Sequence, residues 1–557
     1  MPSPRFIPTP KGWHAKPEQW TSPENFDQQA FSERCSIEAS LHPEGYKIEV
    51  SPEGVAILLG SARAEPYAWQ HFEQWMELNP LPCGCLEDEP SFPRRGFMLD
   101  VSRCKIPTRE SLQAWVNLLA RFRYNELQLY TEHSFAYTAH QTVWADSSPL
   151  NKDDILWLKS ICTDAGIELV PNQNCFGHFE RWLKHKAYEK YAECPNGFIT
   201  PWGERRDQGA VLKPDAASFE FITGLLDEYL PLFESDWVNI GCDETWELGQ
   251  GASQGRCEQE GLSHVYTEFV AKIMQYVQDV HGRRCQFWGD IIIKTPEELK
   301  NLPREAMALE WGYDADHPFE AETTCFKNSG LDFMVCPGTS SWLSFTGRTQ
   351  NMRENIQKAA QAAHKNGALG LLLTDWGDWG HLQQSPVSFP GIAWCGLHAW
   401  HPETATWQDM IHWCDQQAFD QHAGDCQSWL DLGEISDLLH IETNNSNAIF
   451  EILKHPDKTT GKTTAKHFQA CLDALRELKA PSTFSDEWTQ TIRNVSLCLQ
   501  TALHLKGCDQ KDLPQLYKET LSGHQKLWRQ RNREGGLAES LSRYTEVGNK
   551  LNLGEKS

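Results

Sequence analysis

The sequence predicts an α/β fold: a (β/α)8 TIM barrel with a small N-terminal α/β domain and a C-terminal all-helical domain. Three observations carry this. Eight short apolar runs alternate with longer amphipathic segments between residues 91 and 400. The runs are near-continuously apolar, as in parallel strands buried on both faces. Beyond residue 400 the strand signal stops and helical spacing takes over. At about 150 residues per domain, 557 residues allow about two to four domains, or one large barrel with additions.

Residues 1–90 form the small α/β domain. Tyr46, Ile48 and Val50 alternate, SPEG supplies a turn, and Val55, Ile57 and Leu59 alternate again, which is a hairpin. Glu65 to Leu78 reads as a helix with Trp69, Phe72 and Trp75 on one side. Residues 91–400 form the barrel. Its eight runs are FMLDV (97–101), ELQLY (126–130), IELVP (167–171), WVNIG (237–241), CQFWG (285–289), MALEW (307–311), DFMVC (332–336) and LGLLLT (369–374). Between them lie helices. Thr108 caps the one after the first run, and Leu112, Trp115, Leu119 and Phe122 share its face. Ser263 caps another, which Gly282 stops, and Gly367 ends a third. Eight such units indicate a closed barrel. A doubly wound open sheet is the structural alternative, weakened because no GxGxxG follows an early strand. Residues 401–557 form the helical domain. There LKHPDKTTGKTTAKH is expected to be a solvated loop or helix start, and the Arg-rich RQRNREGGL beside Trp528 a surface helix end.

Composition narrows the function. With 40% hydrophobic and 23% charged residues the chain is globular. A net charge of −25 repels phosphates and anionic lipids, so neither nucleic acid nor a membrane surface is an expected partner. The N-terminal stretch is polar and proline-rich, without the apolar core of a secretion signal. The 18 cysteines fall far below a disulfide scaffold, and Cys162, Cys336 and Cys395 sit inside apolar runs. Cys83 and Cys85 form a CxC with no second ligand pair nearby. The expected compartment is the cytoplasm. The 23 Trp suit flat ligand faces such as sugar rings as well as core packing.

Barrels of this kind work just past the C-terminal ends of their strands. Those ends offer Asp100 and Arg103; Thr131, Glu132 and His133; Asn172, Asn174 and His178; Asp243 and Glu244; Trp288 and Asp290; Glu310, Trp311 and Tyr313; Thr339 to Trp342; and Asp375, Trp376, Asp378 and Trp379. Carboxylates, amides and Trp walls fit a neutral, hydroxyl-rich ligand. No end carries clustered His ligands or a glycine-rich phosphate loop, so no metal and no cofactor are expected. Two adjacent carboxylates, Asp243 and Glu244, repel each other. Removing water raises at least one pKa, as a general acid needs.

Several blocks carry a family resemblance. NIGCDETWELG resembles the Asp-Glu signature of glycoside hydrolase family 20, the β-N-acetylhexosaminidases. RRGFMLDVSR, LQLYTEHSF and FGH (176–178) resemble its first, second and third strand ends, and GYKIEVSPEGVAI its small leading domain. The likeness covers about residues 40 to 400, and the helical C-terminus resembles a cytoplasmic bacterial subgroup. The resemblance implies a retaining enzyme without a carboxylate nucleophile, in which the substrate's 2-acetamido oxygen attacks the anomeric carbon. Glu244 would then be the acid and later the base, with Asp243 orienting the acetamido N–H. Arg95 would fork onto sugar hydroxyls. Glu132 and His178 would support the acid. Trp288, Trp311, Trp342 and Trp376 would wall the ring, and Asp378 would hold a distal hydroxyl.

Three departures stand out. Relative to the family pattern, Asn174 replaces an acidic residue, Cys242 replaces a glycine, and TSSW lacks the Tyr expected to hold the acetamido oxygen, so that either Tyr130 or Tyr313 would replace it or Trp342 would shift the geometry. The expected substrate is a small oligosaccharide or glycoconjugate with a terminal β-linked GlcNAc or GalNAc, and a homodimer is an allowed assembly. The competing readings are another retaining barrel glycosidase, a sugar-binding protein that has lost turnover, and a metal-dependent barrel hydrolase.

Overall fold

The computed structural model describes residues 4–23, 26–78 and 80–553. Eight parallel strands, at Arg94–Asp100, Glu126–Tyr130, Glu168–Val170, Trp237–Asn239, Arg284–Trp288, Met307–Trp311, Asp332–Cys336 and Gly370–Asp375, pair in chain order. The eighth pairs with the first, from Gly370 against Arg94 to Asp375 against Leu99. A bridge between Asn172 and Asn239 closes the ring between strands three and four. Every apolar run coincides with a strand, so the barrel and not the open sheet is the fold.

Strand two shows how alternation builds the barrel. Leu127 and Leu129 face the helix layer and join its large core. Gln128 points inward, where it accepts from Asn172 at 3.0 Å and Asn239 at 2.9 Å and donates to Gln286 at 2.7 Å. These four amides are buried and linked by hydrogen bonds through Gln128, so a polar layer fills this level of the barrel. Above it lies an aromatic layer that includes Tyr130, Trp288, Trp342 and Trp376.

The hairpin forms between Tyr46–Ser51 and Gly54–Leu59, within a five-stranded sheet that precedes the barrel. The neighbouring helix, Glu65–Met76, buries Phe72 and Trp75 against this sheet. Thr108 accepts from the Ser111 N–H and caps its helix as expected. Gly282 and Gly367 end theirs in the left-handed conformation, at φ 65° and 76°. Ser263 does not cap. Its helix begins at Leu262 after Gly261, and its hydroxyl meets Thr295 instead. No helix of the described residues is long and apolar enough to cross a membrane.

The Arg-rich segment is not a free surface end. Arg531 O and the Arg533 N–H bond the backbone at Thr108 and Ile106, and Arg533 pairs with Asp154 at 2.8 Å. The helical region is thereby seated on the barrel.

Candidate active site

The Asp-Glu pair stands on a turn that sequence chemistry explains residue by residue. Gly241 adopts φ 68°, and a Cβ there would lie 2.6 Å from the Asn174 amide. Cys242 and Glu244 follow in the same left-handed region, at φ 70° and 51°. Residues other than glycine are strained there, and such strain persists only where surroundings enforce it. The enforcement is visible. The Cys242 N–H donates to Asn174 Oδ1, its carbonyl accepts from Tyr266, and the Glu244 N–H donates to Asp290. Gly177 must also lack a side chain, because its Cβ would sit 2.3 Å from the Asp243 carbonyl. That close approach brings His178 beside the pair.

His178 Nε2 lies 3.1 Å from Asp243 and 3.5 Å from Glu244. Asn174 donates to the other Asp243 oxygen at 3.0 Å. Burial alone would raise the Asp243 carboxyl, but the His178 charge and these hydrogen bonds outweigh it and hold it below the usual range. His178, facing Asp243, is pushed up to about 10 against its burial. Glu244 goes the other way. Burial and the charges of Asp243 and Asp290 push it up to about 8, against the influence of His178. One carboxylate is thus ionised and its neighbour protonated at neutral pH. Asn174, a departure in sequence, is a donor that favours the ionised Asp243.

The pair opens onto a cavity of about 530 Å3, within the range of small-molecule sites. Trp288, Trp311 and Trp376 line it, together with Arg103, Tyr313 and Asp378. The indole N–H groups of these three Trp make no hydrogen bond among the described residues. Trp342 does not reach the cavity. It is fully buried beneath Tyr313, with ring centroids 5.1 Å apart. Tyr130 is also below the surface, donating to Glu132 at 3.0 Å. Tyr313, stacked on Trp311, is the tyrosine that the cavity presents.

Arg95 is a correction. It stands at the opposite, N-terminal end of strand one, 1% exposed, and forks onto Glu44 of the leading domain at 2.8 and 2.9 Å. The residue that faces the cavity is Arg103, eight positions on. It pairs with Glu132 at 3.0 Å and lies 3.8 Å from Asp378. Its guanidinium covers the faces of Tyr130 and Trp376. Glu132 reaches His178 only at 3.8 Å, and burial pushes it up to about 7 against Arg103. The signal for Arg103 was present, because only it lies past the C-terminal strand end.

Sequence reasoning missed two further contributors. The loop after strand six supplies Asp314, Asp316 and His317 to the cavity. Asn444 and Asn445, from the helical region, complete the wall, with Asn445 accepting from Arg348 at 3.3 Å. Nothing in their local pattern marked them.

Comparison with known proteins agrees with this geometry. Residues 92–426 match the family model "Glycosyl hydrolase family 20, catalytic domain". The chain is 23% identical over 344 residues to a beta-hexosaminidase of Akkermansia muciniphila, covering 55% of this chain and 66% of that protein, just under two thirds. It is 24% identical to hexosaminidase D of Bos taurus over 49% of this chain and 82% of that protein. Among solved structures, a Flavobacterium johnsoniae chitobiase superposes with a TM-score of 0.60 at 16% identity, covering 97% of this chain and 98% of that one. A Bacteroides fragilis beta-N-acetylhexosaminidase gives 0.58 at 18% identity, covering 74% and 95%. The family model spans more than half of the chain and includes the whole barrel and the Asp243–Glu244 turn, so this chain belongs to glycoside hydrolase family 20.

Proposed function

We propose that the chain is a retaining, exo-acting β-N-acetylhexosaminidase that removes terminal β-linked GlcNAc or GalNAc by substrate-assisted catalysis. The observation that carries this is the pair of adjacent carboxyls on one turn at the cavity, with His178 and Asn174 holding Asp243 at 3.1 and 3.0 Å and burial pushing Glu244 up to about 8. Protonated Glu244 can give its proton to the leaving oxygen and later take one from water. Ionised Asp243 can hold the acetamido N–H and offset the positive charge that develops as the acetamido oxygen attacks the anomeric carbon, forming an oxazolinium. Tyr313 is the donor available to the acetamido oxygen. Arg103 and Asp378 are placed to hold distal hydroxyls, and the Trp288, Trp311 and Trp376 faces suit the ring and the acetamido methyl. The eighteen free cysteines support the expectation of a reducing, cytoplasmic setting.

The test is hydrolysis of chromogenic β-GlcNAc, β-GalNAc and β-glucose substrates, beside Glu244→Gln. Cleavage restricted to the N-acetyl sugars and lost in the variant is the expected result. Comparable cleavage of the β-glucoside would require an enzyme nucleophile and overturn the role given to Asp243.

A further inference from the structure

We propose that Glu310, His317 and Glu322 form a binding site for one divalent transition-metal ion, with Zn2+ as the representative. Glu310 ends barrel strand six, His317 lies in the following loop, and Glu322 is in the helix Phe319–Ser329. Their ligand atoms all lie within 4.8 Å of one another. His317 Nε2 is 3.0 Å from Glu310 Oε1 and 3.0 Å from Glu322 Oε2. Two ligands bound at about 2.0–2.1 Å with tetrahedral angles stand roughly 3.3 Å apart, so both His317 contacts are within a few tenths of an ångström of the spacing an ion needs.

Charge and burial point the same way. Glu310 is 2% exposed, and its second oxygen, Oε2, has no hydrogen-bond donor among the described residues. Neither carboxylate is paired with a Lys or Arg among the described residues, leaving one imidazole between two acids. A buried carboxylate without a compensating cation is costly, and burial is what pushes Glu310 up to about 8. The ring of His317 is also given its place. A Cβ at Gly312 would lie 2.1 Å from it, and Phe319 packs edge-on at 4.6 Å. One imidazole nitrogen and two carboxylates are a donor set for Zn2+ and similar ions, with an open position left for water.

A second acidic group, Glu260, His264 and Glu268, is the internal contrast. It is exposed, and Arg256 already pairs with both of its carboxylates. An ion at the Glu310 site would tie strand six, the loop bearing Tyr313 and the following helix together, stiffening one wall of the sugar cavity. This inference does not rest on the glycosidase reading.

The test uses the full chain, stripped by chelator and dialysed, then titrated with Zn2+ by calorimetry and followed by thermal melting. One equivalent should bind with a rise in Tm. Binding should weaken as pH falls from about 8 to about 6.5, because His317 must lose its proton. Glu310→Gln and His317→Ala should each weaken binding by about tenfold or more, while His264→Ala should bind as the parent does. The partly exposed Glu322→Gln serves if Glu310→Gln fails to fold. Absence of saturable Zn2+ binding to the parent, or binding retained by the Glu310, His317 and Glu322 variants, would overturn the site and leave a proton-sharing triad.

Discussion

Two arginines at opposite ends of strand one divide the molecule. Arg95 enters strand one from below and Arg103 leaves it above, and both are charged, held by carboxylates and packed on aromatic faces. The lower one is sealed. Glu44, the Arg123 carbonyl and Trp400 enclose it, so its donors are spent on joining the leading domain to the barrel. The upper one borders a cavity, and Asp378 near it is half-buried. The chemistry of the side chain is the same at both ends. What differs is which end of the parallel barrel it occupies: Arg95 is covered by the leading domain, whereas Arg103 lines the cavity at the C-terminal end, where barrels of this kind carry their sites.

The sharpest break between the two ends comes from Glu244→Gln. Loss of the general acid should lower kcat by roughly 10²–10⁴-fold with Tm held or raised, measured by steady-state kinetics beside calorimetry. At the lower end the expectation inverts. Arg95→Met leaves Glu44 buried and unpaired, which should cost about 3–5 kcal/mol in stability while kcat at a temperature below Tm stays within about twofold of the parent. A fall in kcat without a fall in Tm would return Arg95 to the active site.

The pH profile sharpens the upper end. Glu244 must be protonated for the first step, so kcat/KM should fall as pH rises through about 8. His178→Gln removes a positive charge that lowers Glu244 and Asp243 alike. Both limbs of the profile should therefore move to higher pH, and an unmoved profile would deny His178 its electrostatic role. The smallest effect is expected of Asn445→Ala. It alters a wall supplied by the helical region, so KM should rise by about two- to tenfold and vary with the aglycone while kcat stays near the parent value.

The fold was legible because burial on both faces makes parallel strands apolar without interruption. MALEW and DFMVC needed no tertiary information to be placed. The Asp243–Glu244 turn was legible because its glycine and paired acids lie side by side in the chain. Arg95 was misplaced because RRGFMLDVSR carries arginines on both sides of its apolar run, and only their place at opposite ends of strand one separates the structural one from the one at the cavity. Trp342 was misplaced because an indole past a strand can lie over the cavity or under it. Packing decided this one, with Tyr313 taking the surface.

The sequence by itself determined the eight-fold alternation and the acidic turn, since each depends on residues close in the chain. Tertiary structure alone decided that Asn174 is a donor to Asp243, that Asn444 and Asn445 complete the cavity, and that Glu310, His317 and Glu322 converge. Those contacts join elements that share no periodicity, and protonation there follows from burial and neighbouring charge, which exist only once the chain has folded.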